Sequence, residues 1–157
     1  MKIPEFNEML QYRNEELLIR YRKDYPNNQL SAEQAFEEMK KYLWLGQKHK
    51  LDQAAHPEDE DLQFHFYLHL EMDEIDDMWH TFLLFTKDYM DFCHQYFDTY
   101  IHHVPTTESE KEKLLNNPDA MDKFIDEESK RQLSYIYDHL GEETLRTWFA
   151  EHFAKTE

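Results

Sequence analysis

Apolar positions recur at steps of three and four along most of this chain, which makes helix the default prediction. The longest such run is EIDDMWHTFLLFTKDYMDFCHQYFDTYIHHVP, from Glu74 to Pro105. Ile75, Trp79, Phe82, Thr86, Tyr89, Cys93, Phe97 and Tyr100 fall on one stripe, and no Gly or Pro interrupts it before Pro105. One long helix, or two abutting ones, over about 75–97 follows. Phe82-Leu83-Leu84-Phe85 is apolar nearly all round, as in a helix enclosed by neighbours. Trp79, Phe82, Thr86, Cys93 and Phe97 are therefore expected in the core.

Before that run, Pro4 suits a first helical turn, and Phe6, Met9, Leu10, Leu17 and Tyr21 make a stripe that ends near Tyr25 at Pro26-Asn27-Asn28. Ser31 and Gln34 have capping-box spacing, and Ala35, Phe36, Met39 and Leu43 carry a second helix to about Lys48. Residues 50–61 are polar and acidic and read as a connector. Leu62 to Met72 alternates at strand period, yet no second alternating run offers a partner. An extended or partly helical insertion packed on the bundle is expected there. Beyond a polar stretch, Asn117 and Pro118 look like N-cap and first turn of a helix with Met121, Phe124, Ile125, Leu133, Ile136 and Leu140 inward. Gly141 should end it, and Leu145, Trp148, Phe149 and Phe153 should form a short last helix. The predicted fold is all-α: one domain over 1–157, an irregular bundle of about five helices around the helix at 75–97.

Composition changes this picture in one respect, the surface. With 34 Asp and Glu against 17 Lys and Arg the net charge is −17, and protonating all ten histidines would bring it only to −7. Such a field repels phosphate backbones and anionic membranes, so neither nucleic acid nor membrane is an expected partner. A protein partner with a basic surface is. Mean hydropathy is −0.94, but 15% aromatic residues are far more than a disordered chain carries. A single cysteine and an N-terminus without an apolar leader fit a cytoplasmic protein, with export by a non-classical route left open.

The chemistry on offer is imidazole and carboxylate. Asp76 and His80 are four apart and share a helix face, so the carboxylate can fix the imidazole tautomer or join it on a metal. The plainer alternative is a half-buried histidine satisfied by a local carboxylate. Asp77 is the spare acid. His102 and His103 follow the long helix; they are either a helix-terminal pair stabilised by the dipole, which would raise their pKa, or ligands for a divalent ion such as zinc or iron. A straight helix would hold His80 and His102 roughly 30 Å apart at 1.5 Å per residue. Two foci are then expected, Asp76 with His80, and Cys93, His94, His102 and His103, unless the helix breaks near Thr86 or the chain doubles back after Asp98. Cys93 lies on the apolar stripe and reads as packing. His65 and His69 form a further pair at i,i+4. No complete catalytic triad, nucleophile elbow or phosphate loop is present, so an enzyme is not the leading expectation.

Asp76, Trp79-His80, Thr86-Lys87-Asp88-Tyr89, Phe92-Cys93, Phe97 and His102-His103-Val104-Pro105-Thr106, with Glu38 to Leu45 upstream, resemble the glycine-rich domain-containing protein-like family. The resemblance spans about 33–107, lacks the glycine-rich repeats, and departs at Asp98, where a glycine is expected. It implies a helical module without established enzymatic activity, in which Asp76, Trp79 and His80 bind a ligand. Two functions are carried forward: an acidic binding module, and a metal-dependent protein using Asp76 with His80, or His102 with His103.

Overall fold

The computed structural model describes residues 1–68, 70–105, 107–109, 112 and 118–150, and excludes the side chains of residues 70 and 118–126. His69, Thr106, Asn117, Phe153 and the Met121, Phe124 and Ile125 side chains, all singled out above, lie outside the described residues. The described residues form seven α-helices and no strand. The fold is all-α.

The expected first helix is two: α1 (Phe6–Leu10) and α2 (Glu15–Asp24). Glu5 caps α1 by accepting from the Asn7 and Glu8 amides, and Asn14, in extended backbone at φ −153°, caps α2 by accepting from the Leu17 amide. A local side chain that competes for backbone donors splits what periodicity alone would join. The far end of α1 is held by Lys40. Its fully buried ammonium donates to the carbonyls of Leu10 at 2.5 Å and Tyr12 at 2.9 Å, and to the Glu37 carboxylate at 2.7 Å.

Helix α3 (Ala32–Ala55) starts where Ser31 accepts from the Gln34 amide, and runs well past Lys48. It packs against α1, α2, α4 (Asp73–Leu84) and α6 (Pro118–Leu140). Glu38, 5% exposed, takes the Trp148 indole N–H at 2.6 Å and thereby fastens α7 (Glu142–Trp148) to α3. Gly141, at φ 89°, separates α6 from α7.

The 62–72 stretch is bounded by two short 3₁₀ turns, Glu60–Leu62 and Leu70–Met72. Residues 63–68 between them have no regular structure and no partner strand among the described residues, and side chains from the bundle satisfy carbonyls along this stretch. Leu62 takes His49 Nε2 at 2.9 Å, Gln63 takes Arg131 at 3.2 Å, Phe64 takes Gln53 at 3.4 Å and Tyr67 takes Gln132 at 2.9 Å. Its alternation is real but one-sided: Phe64 is buried on His49 and Phe66 lies on Tyr42, while His65 faces solvent.

The 75–97 stretch is the abutting pair, α4 and α5 (Thr86–Phe97), joined through Phe85. At φ −94° and ψ 67° Phe85 leaves the helical region; its amide donates to Phe82 O and its carbonyl accepts from Tyr89 N. Trp79, Phe82, Cys93 and Phe97 are buried in the apolar cluster that all seven helices share. Thr86 is exposed, contrary to expectation, because the break resets the phase of the stripe just ahead of it. No helix among the described residues is long and apolar enough to cross a membrane.

Candidate functional site

After α5 the chain turns back on itself. Asp98 adopts the left-handed conformation at φ 53°, ψ 33°, the geometry usually reserved for a glycine, and its amide closes the helix on His94 O. Asp is among the few side chains that tolerate it. The returning segment, 99–105, has no regular structure, and its side chains alternate as in extended chain: Ile101 inward, His102 outward, His103 half-buried. Ile101 anchors it. That residue is 4% exposed, and its carbonyl accepts from the buried Tyr89 hydroxyl, which in turn accepts from the Trp79 indole N–H at 3.0 Å.

Two residues beyond Ile101, His103 reaches the first turns of α4. Its Nε2 lies 2.6 Å from Asp76 Oδ1, and the same oxygen lies 3.5 Å from His80 Nε2. The His103 ring centroid is 4.6 Å from that of His80 and 4.3 Å from that of Trp79. One ligand atom from each of Asp76, His80 and His103 therefore falls within 4.8 Å of the others. His80 is half exposed while His103 is largely covered, so the cluster opens to solvent on one side. Two imidazoles and one carboxylate with an open side can hold a transition metal and leave coordination positions free.

Neighbouring acids are already engaged. Asp77 receives the Asn28 amide at 3.0 Å, and Glu74 takes the backbone amides of Gln29 and Leu30. Burial, with Asp73 and Asp76 nearby, pushes the Asp77 carboxyl above its ordinary value against the Asn28 hydrogen bond. Burial likewise raises the phenol of Tyr42, which packs on Trp79 and feels Asp76.

The expectation of two foci gives way to one cluster. Both conditions under which the foci could meet are fulfilled, the break at Phe85 and the return after Asp98. Of the second focus only His103 arrives. His102 is exposed against Tyr100, His94 is exposed on α5 beside Asp98 at 3.9 Å, and Cys93 is 1% exposed with its thiol pushed up by burial. Neither His102 nor His103 ends a helix, so the dipole account of that pair does not apply. The linking roles of Tyr89, Ile101 and Asn28 are not legible in the sequence, because nothing in a helical stripe or a loop marks a residue that ties two segments together. An open hollow lined by Arg13, Glu33, Glu37 and Lys41 includes none of these residues.

The chain belongs to the UCP032817-like family, whose model matches residues 7–123. This corrects the resemblance to the glycine-rich domain-containing protein-like family, since the match is to a different family and covers far more than 33–107. No curated protein and no solved structure matches.

Proposed function

We propose that this member of the UCP032817-like family is a binding protein for a divalent transition metal such as zinc or iron, held by Asp76, His80 and His103. The observation that carries the proposal is the convergence of three ligand atoms within 4.8 Å from segments 27 residues apart in sequence. Ligands on a common ion at about 2.0–2.1 Å sit roughly 3 Å from one another. The His80–Asp76 separation of 3.5 Å is close to that, whereas the 2.6 Å His103–Asp76 contact is a direct hydrogen bond that an ion would replace. Binding thus exchanges a shared proton for the metal and needs only a small withdrawal of the His103 ring. Trp79 walls the inner side, and solvent meets the outer. The surplus of carboxylates on the rest of the molecule supports a basic protein as the partner of such a module.

Elemental analysis of protein purified without a histidine tag, followed by zinc titration calorimetry, tests this. One ion per chain is expected, lost in His103→Ala and Asp76→Asn and retained in His94→Ala, which removes an exposed imidazole outside the cluster. If His103→Ala lowers the unfolding midpoint while zinc binding persists, the Asp76–His103 contact is a structural latch and the proposal fails.

A further inference from the structure

The candidate ligands do not share an element. Asp76 and His80 belong to α4, whereas His103 belongs to an irregular segment outside any helix. One hydroxyl links that segment to both α4 and α5. Tyr89 is 1% exposed; its oxygen accepts from Trp79 Nε1 and donates to Ile101 O. It thus joins the helix of the first two ligands, through the residue between them, to the segment of the third. The Ile101 backbone also hydrogen-bonds to the Cys93 thiol. Ile101 and His103 point the same way in extended chain, so fixing the one fixes the reach of the other.

We propose that Tyr89 is the positioning residue of the Asp76–His80–His103 site, setting its metal affinity from the core by holding Ile101 and, through it, His103. This inference rests on the metal-binding reading. Tyr89 touches no ligand atom and acts only through the segment. Outer partners that orient a metal ligand typically change affinity about 10- to 100-fold when removed. By linkage, a metal that needs the segment docked must also hold it down.

The test uses Tyr89→Phe, which keeps the ring and deletes the hydroxyl, with Ile136→Val as a core control remote from the segment. Cobalt(II) is titrated into metal-free, untagged protein and followed by its visible absorption, while hydrogen exchange is read at the amides of 99–104. Tyr89→Phe should weaken cobalt binding roughly 10-fold or more, alter the absorption band, and speed exchange at 99–104 over that within α5. Ile136→Val should move neither readout. Cobalt should also slow exchange at 99–104 in the wild-type protein, which tests the required coupling of ion and docked segment even if Tyr89→Phe folds poorly. Wild-type affinity, spectrum and protection in Tyr89→Phe would overturn the proposal, as would absence of cobalt protection at 99–104 in wild-type protein that binds the ion. Wild-type protein that binds no cobalt overturns the metal reading instead, and the exchange arm then still tests whether Tyr89 holds the segment.

Discussion

Single residues in this protein carry burdens their sequence neighbourhood does not announce. Lys40 stands on an apolar helix face, yet its ammonium serves as C-cap to a different helix and lies 4.5 Å from the Phe36 ring centroid. Burial lowers its pKa against the Glu37 contact. His49 is the more testable case. It is 2% exposed, stacked on Phe64 at 4.1 Å, and donates from Nε2 to Leu62 O. Burial outweighs that hydrogen bond and the nearby Asp52 charge, so the imidazole pKa falls below its ordinary value. The folded state therefore binds the proton less readily than the unfolded chain, and stability grows as pH rises. This contribution should be complete above about pH 6.5 and be lost as pH falls through the folded pKa. Thermal midpoints of wild type and His49→Gln measured from pH 7.5 to 4.5 isolate it: the gap between them should shrink toward acid. A gap that widens toward acid would show the imidazole to be charged in the core.

At the scale of elements, the decisive feature is the join at Phe85. Continuous periodicity through 75–97 licenses one helix, and nothing in the composition of Phe82 to Thr86 forbids it. Packing breaks it. Phe82 meets Tyr12, Phe36, Tyr89 and Phe92, so both helices converge on one aromatic centre, which a straight rod could not do. Thr86 is consequently a first helical position, where proline is tolerated because the amide there has no intrahelical partner. Thr86→Pro should cost less than about 1 kcal/mol, whereas Met90→Pro, also exposed but inside α5, should cost about 3 kcal/mol or more. Urea midpoints check this. Equal losses would mean the pair behaves as one helix.

Over the whole molecule the charge of −17 dominates. Ion pairs such as Lys87–Asp91 and Arg146–Glu142 are exposed and contribute little. Carboxylate repulsion should outweigh them, so added salt should stabilise the fold until screening saturates near a Debye length of about 8 Å, at roughly 0.15 M. The thermal midpoint should rise between 10 and 150 mM sodium chloride. A falling midpoint would make the ion pairs net contributors.

What the sequence alone determined is whatever depends on neighbours in the chain. The 3.6-residue stripes, the Ser31 cap, the Gly141 boundary and the partnerless alternating stretch before α4 are all local. So is the Asp76–His80 pair, since a helix brings i and i+4 together whatever surrounds it. The split at Asn14 is local too, since that residue has the side chain of an N-cap, but the apolar stripe continues across it and periodicity alone joins the two helices. What only the tertiary structure decided is how far apart things end up. The kink at Phe85 answers to aromatic packing rather than to a breaker residue, and the turn at Asp98 uses a conformation the sequence marks only weakly without glycine. Together they fold about 30 Å of helix rise back on itself, and Tyr89 pins the returning chain at Ile101. His103 meets Asp76 for that reason and His102 does not, because alternate residues of an extended segment face opposite ways, and only the long-range contact at Ile101 sets which way.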